Sequence, residues 1–334
     1  MPPAAIRRPV SITLWLAVSI IFIALSPVVL LVAELLAVLV GDRRLAIATR
    51  ICLAYFAREL VTLTACAAIW LLSGAGRRLG DAPIQTLHWR LLRWFVGGIA
   101  RSVARSLKLR IVKETGSEAA AAALHGDRPL LVLSRHAGPA DTILLIDRLV
   151  SQFARRPSIV FKEALVLDPA VDLLAHRLPH AVLNTNDARE CEARIAHTAA
   201  SLGPRGVLVM FPEGGNFTPQ RRQRALRSLR RRGQRSAAAA GERMQHVLPP
   251  RTSGTVAALR ANPATDVVFA AHTGLGLAAY PRDIWRDLPV NGTLRTRMWL
   301  VPRTDIPGTE DEIAAWLNDW WARIDGWIEA RGEE

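Results

Sequence analysis

Two long apolar blocks open the chain, and everything after them alternates short apolar runs with amphipathic stretches. Residues Leu14 to Val40 are almost unbroken apolar residues, interrupted by Ser26-Pro27 and Glu34. That is long enough to cross a bilayer core of about 30 Å with room for tilt. The pattern predicts one kinked span, or two short arms that turn back without crossing. The run is longer than the apolar core of a cleavable leader, and no small-residue cleavage site follows it. Gly41-Asp-Arg-Arg44 makes a charged break, and Ile51 to Leu72 is a second apolar segment with Arg58 and Glu59 near its centre. Adjacent charges at mid-bilayer are costly unless they pair or face a polar neighbour. This second segment is predicted as a span, or as a helix packed under the interface.

Gly74-Ala-Gly and Gly80-Asp-Ala-Pro83 form a linker. From Ile84 to Leu109 the apolar residues Leu87, Leu91, Phe95, Ile99 and Val103 recur at three-to-four spacing, and arginines fill much of the remainder. Such a helix suits the headgroup layer of a membrane, or the surface of its own domain. Beyond it the period changes. Strands are predicted at Leu109–Val112, Leu130–Leu133, Ser158–Phe161, Ala181–Leu183, Gly206–Phe211, Asp266–Ala271 and Thr296–Val301. Helices are predicted at Ser117–Leu124, Asp141–Phe153, Pro169–His176, Arg189–Leu202, Pro219–Arg243, Thr252–Ala261 and Asp311–Ala330. This alternation defines an α/β fold with a mixed central sheet flanked by helices. The expected organisation is a membrane-associating region over 1–80, an amphipathic helix over 84–109 and an α/β domain over 109–334.

Composition adds direction. Half of the 334 residues are hydrophobic, yet the net charge is +14, and the mean hydropathy is +0.17. Together these point to a protein on or in a membrane that faces anionic partners. The basic residues are overwhelmingly arginine, which binds phosphate bidentately. Cys52, Cys66 and Cys191 build no disulfide framework or zinc site, so a reducing compartment is expected. Eight arginines lie between Arg221 and Arg235. They form a solvated helix face, or a contact with anionic lipid or nucleotide phosphates. No nucleic-acid-binding motif accompanies them, so no nucleic-acid partner is expected.

Two stretches carry candidate chemistry. Leu130 to Ser134 reads as a buried strand, followed by Arg135-His-Ala-Gly-Pro-Ala-Asp141. Asp141 is placed to N-cap the helix beginning there, and a carboxylate one turn from His136 can orient the imidazole as a general base. The alternative is a capped helix with a chance histidine before it. The second stretch, Phe211-Pro-Glu-Gly-Gly-Asn216, closes another buried strand. Gly214 and Gly215 there can bring backbone N–H groups close to an anion. Ligands collect at the carboxyl ends of strands in open α/β sheets. No Gly-x-Ser-x-Gly occurs, which argues against a serine hydrolase. His88, His176, His180, His197, His246 and His272 lack metal-ligand spacing and are expected to be structural or surface residues; no metal site is expected.

In order and spacing this pair of stretches resembles the PlsC-like glycerolipid acyltransferase family, the lysophosphatidate and glycerol-3-phosphate acyltransferases. His136 and Asp141 match its first motif. Phe211, Pro212, Glu213 and Gly214 match its Phe-Pro-Glu-Gly motif. Lys162 stands where the family has a lysine near the substrate phosphate, and His246 to Gly254, with Arg251, is similar to its Pro-Arg-x-x-Gly segment. Arg135 replaces the family's asparagine, Gly215-Asn216 replaces Thr-Arg, and the arginine expected near Asn184-Thr185 is missing, so the acceptor headgroup stays open. The resemblance implies transfer of an acyl group from acyl-CoA or acyl carrier protein to a hydroxyl of an anionic lipid acceptor, with no cofactor. His136 would be the base and Asp141 its orienting partner, with oxyanion donors near Gly138 or in the Gly214-Gly215 loop. Glu213 would hold the acceptor or brace its loop. Lys162 and Arg251 would hold the acceptor phosphate, or be a strand-end lysine and a surface ion-pair partner. The expected location is the cell membrane, with the catalytic domain facing the cytoplasm. A non-catalytic protein that binds anionic lipid or nucleic acid through its arginine-rich helix is the competing reading.

Overall fold

The computed structural model describes residues 2–183, 187–275 and 288–332; the predicted departure near Asn184-Thr185 lies outside them. At the centre is a seven-stranded sheet, β1 Arg110–Lys113, β2 Leu130–Ser134, β3 Arg156–Lys162, β4 Ala181–Leu183, β5 Gly206–Met210, β6 Asp266–Thr273 and β7 Thr293–Val301, ordered β1-β7-β6-β2-β5-β3-β4. All seven predicted strands are present. β2 to β6 run parallel, and β7 is antiparallel to β6, which makes the sheet mixed. The carboxyl ends of β2, β3, β5 and β6 therefore open on one edge.

Both faces of the central strands are covered, so their sequences are continuous apolar runs. Leu130, Val132, Val207, Val209 and Val268 point into one core with α4 Ala82–Ser106 and α6 Pro139–Asp147. Leu131, Leu133, Leu208, Val267 and Phe269 point into the other, beneath α8 Ala188–Ala200, α11 Ser253–Ala261 and α12 Glu310–Glu329. Trp321 is fully buried there, and Trp320 stacks on Phe269 at 4.4 Å. The remaining helices of the domain are α5 Glu118–His125, α7 Pro169–Arg177, α9 Pro219–Arg231 and α10 Arg235–Arg243.

The structure adjusts two predicted helices. Asp141 is not the N-cap of α6. The fixed φ of Pro139 starts the helix at that residue, which puts Asp141 in the first turn, where it turns back onto the backbone. The predicted continuation to Phe153 is a π-helical turn, Arg148–Gln152. The predicted helix over 219–243 is two helices, broken where Gly233 takes φ +71°.

The apolar blocks form α1 Ala4–Ala24, α2 Ser26–Val40 and α3 Arg44–Leu72, with the first break at Leu25. α1 and α3 are long and apolar enough to cross a membrane. α2 returns along α3 on Ala33, Ala37 and Ala46, and Glu34 pairs with Arg50. Leu14, Ile21, Val28, Leu31, Leu35 and Leu39 are exposed. The charges near the centre of α3 do not pair with each other but reach into the domain. Glu59 is buried and accepts a hydrogen bond from Ala170 N at the start of α7, 3.1 Å. Arg58 donates to Trp94 O and lies over its ring. Gly98 admits that guanidinium, because a Cβ there would lie 1.6 Å from Arg58 Cζ. The apolar face of α4, which the sequence allowed to lie in lipid, is spent on the protein: Leu91, Phe95, Ile99 and Val103 are buried in the core.

Candidate active site

His136 and Asp141 meet where the sheet edge opens. β2 ends at Ser134, Arg135 N still bonds to Ala270 O, and the chain then turns into α6. His136 Nδ1 lies 3.1 and 3.2 Å from the two carboxylate oxygens of Asp141. Asp141 also accepts from Ala137 N at 2.7 Å, Gly138 N at 3.0 Å and Thr142 Oγ1 at 3.1 Å. Burial alone would raise its pKa, but the hydrogen bonds and charges of His136 and His272 hold it well below the usual carboxylate range. Asp141 is thus a fixed anion facing Nδ1, which leaves Nε2 of His136 to exchange a proton with a ligand. The imidazole is 19% exposed, and the Phe211 ring packs against it at 4.5 Å.

The Phe211–Asn216 loop is fastened to this turn. Glu213, buried, accepts from His136 N at 2.8 Å through Oε1 and from Leu248 N at 2.9 Å through Oε2. Phe217 N donates to His136 O, Arg251 N to Pro212 O, and Gly214 N to Phe211 O. Burial pushes Glu213 up to about 7 against these donors. With both oxygens occupied, Glu213 braces the loop. The N–H groups of Ala137 and Gly138, the latter expected near an oxyanion, are taken by Asp141. In the glycine loop, Gly215 N and Asn216 N carry no hydrogen bond among the described residues.

Three cations converge on that loop. A Cβ on Gly215 would lie 3.7 Å from Arg221 Nη1 and 3.9 Å from Lys162 Nζ, and one on Gly214 would lie 2.8 Å from Arg251 Nε. Gly214 also needs its positive φ of +67°. Partial burial, and then the charges of Arg251 and Arg221, hold the Lys162 ammonium below its usual range. Lys162 and Arg251 were expected here; Arg221 was read only as part of the arginine run. Thr218, which caps α9 by accepting from Arg221 N at 3.0 Å, was the available signal: a helix starting just after the glycine loop delivers its first arginine to that loop.

Arg135 does not reach the ligand space. Its side chain is fully buried and donates to His272 O at 2.6 Å and His246 O at 3.2 Å, so it fastens β6 and the 246 segment beneath the site. His272, expected to be structural or on the surface, is buried 3.3 Å from Asp141. Its place at the end of β6, the strand beside β2, was the clue.

A mixed α/β sheet thus presents an aspartate-held histidine beside a cationic glycine loop. Residues 111–267 match the family model for acyltransferases, a span containing every site residue named in the sequence. Over that span the α/β domain is similar to the PlsC-like glycerolipid acyltransferases. No curated protein matches it.

Proposed function

We propose that this protein is a membrane-bound O-acyltransferase. In this reading it moves a fatty acyl group from acyl-CoA or acyl carrier protein to a hydroxyl of an anionic lysolipid, 1-acyl-sn-glycerol-3-phosphate being the best fit. The observation that carries the reading is the fastening of the His136 turn, through Glu213, to the loop on which Lys162, Arg221 and Arg251 converge. One acceptor can then put its phosphate on the cations and its hydroxyl on the base. As the hydroxyl oxygen attacks the thioester carbonyl carbon, its proton passes to Nε2 and Asp141 stabilises the imidazolium. The N–H groups of Gly215 and Asn216 are the donors available to the oxyanion. Collapse breaks the C–S bond, and the thiolate takes the proton from His136.

The apolar helices support a lipid acceptor. Tyr55 of α3 bonds to Asp168 and Glu59 to Ala170, so the hairpin joins the domain just beyond the end of β3, where Lys162 sits. Exposed Leu165 and Leu167 lie between them, an apolar path from bilayer to site. The test is acyl transfer by membranes carrying the wild type or His136→Ala, given labelled acyl-CoA with glycerol-3-phosphate, lysophosphatidate or a neutral lysolipid. Transfer to lysophosphatidate that disappears in the variant is expected. Equal transfer by both proteins, or none by either, would sink the reading.

A further inference from the structure

Asp141 faces two imidazoles, and the proposed reaction uses only one of them. His272 leaves the end of β6 beside β2, so neighbouring strands deliver two histidines to one carboxylate. The His272 side chain is 9% exposed and its Nε2 lies 3.3 Å from Asp141 Oδ2. Among the described residues neither ring nitrogen makes a hydrogen bond of good geometry, and the 3.3 Å approach to the carboxylate is the close polar contact of this ring. Its backbone is pinned by Arg135 Nη1 at the carbonyl. Across the sheet it pairs with Thr296, whose hydroxyl accepts from Arg148 Nη1 at 3.1 Å. The charged groups around the ring, among the described residues, are therefore Asp141 from α6, His136 and Arg135 from the end of β2, and Arg148 from the π-helical turn.

We propose that His272 is a positioning residue. Through Nε2–H it approaches Oδ2 of Asp141, the oxygen that also takes Ala137 N and Gly138 N, and shares its charge, and so sets how firmly Asp141 orients and charges His136. Outer partners of this kind fix ring orientation and basicity without touching a ligand. Without the His272 ring, Asp141 keeps its donors at Ala137, Gly138 and Thr142, and a larger share of its charge falls on His136, which keeps its imidazolium to higher pH. The kinetic consequence rests on the acyl-transfer reading; the contact with Asp141 does not.

The experiment uses the full chain in detergent micelles as wild type, His272→Phe, which keeps volume without a donor, and His272→Gln, which keeps an N–H. His272→Leu replaces the Phe variant should that one not fold. Diethyl pyrocarbonate labelling of His136, followed by peptide mass spectrometry across pH, reports when its ring is unprotonated. The midpoint should rise by about one pH unit in His272→Phe and return toward wild type in His272→Gln. With lysophosphatidate and acyl-CoA, kcat should fall about tenfold or more in His272→Phe at an acceptor KM within about twofold, and largely recover in His272→Gln. An unmoved labelling midpoint, or a Gln variant as impaired as the Phe variant, overturns the proposal. If the wild type transfers no acyl group, the labelling still decides the role of His272, and the acyl-transfer reading alone fails.

Discussion

Glu213 Oε1 accepts a 2.8 Å hydrogen bond from the backbone N–H of His136, a residue 77 positions earlier in the chain. Its other oxygen holds Leu248 N at 2.9 Å. One buried carboxylate thus ties together the histidine turn, the glycine loop and the segment leading to Arg251.

That geometry predicts a particular failure for Glu213→Gln. The amide oxygen can replace one acceptor, but the NH2 must face the other backbone donor, leaving it unsatisfied at a cost of about 1–3 kcal/mol. Thermal unfolding should show that loss. Because His136 is held through its own N–H, kcat should fall while the acceptor KM stays near wild type. A variant with unchanged kcat would mean that the brace does not position the histidine.

Much of this was legible in advance, and the misses share a cause. Buried strands announce themselves as apolar runs, and a histidine or glutamate at the end of one is visible in one dimension. Asp141 was correctly paired with His136, yet its place in the helix was wrong, because the fixed φ of Pro139 outranked capping preference. The role of Arg135 was unreadable because it depends on which carbonyls its buried guanidinium meets, those of His246 and His272, more than 100 residues away. Arg221 and His272 were hidden in plain classes, an arginine run and a scatter of histidines, until the start of α9 brought the first to the glycine loop and sheet order brought the second beside β2.

The cation cluster predicts selectivity by charge. Lys162→Ala, Arg221→Ala and Arg251→Ala should each raise the KM for an anionic acceptor about 10- to 100-fold, the equivalent of one charge-assisted hydrogen bond of about 1.5–3 kcal/mol. A neutral lysolipid should be affected little. Arg221→Ala is the sharpest of the three, since Arg222, its neighbour in the run, is occupied by Met244 O and Glu242 O. Arg222→Ala should instead lower stability without preference between acceptors. Equal KM effects on charged and neutral acceptors would refute this assignment.

Asp141 predicts how stability responds to acid. Its folded pKa lies below the ordinary value of 3.8, so the folded state holds the proton less tightly than the unfolded chain does. The stabilisation is complete above the unfolded value and is lost as pH falls below it toward the folded one. Wild-type melting temperature should therefore drop between about pH 5 and pH 3, with a shallower slope in Asp141→Asn. Parallel slopes would mean that Asp141 is not a stabilised anion.

A buried carboxylate fastens the apolar hairpin to the domain. Asp172 on α7 is buried and takes Arg7 through Oδ1 and Arg8 through Oδ2, both at 2.8 Å, with His176 Nδ1 at 3.0 Å. These contacts fasten the start of α1 to the domain. Removing one partner of a buried ion pair costs about 3–5 kcal/mol, so Asp172→Ala should free α1 while the sheet stays folded. Chymotrypsin should then cut near Phe22 and Leu25 in micelles, where the wild type resists. The hydrogen bond from Asp172 raises the pKa of His176 above its ordinary value of 6.5. Its contribution to the clasp is therefore complete below that value and is lost as pH rises through the folded one. Wild-type cleavage should accordingly quicken between about pH 6 and pH 9 beyond what the protease's own pH dependence explains, and that excess should vanish in His176→Ala. An Asp172→Ala variant as resistant as wild type at both pH values would show that the apolar packing of Trp15 and Phe22 on Tyr55 and Phe56 holds α1 without the clasp.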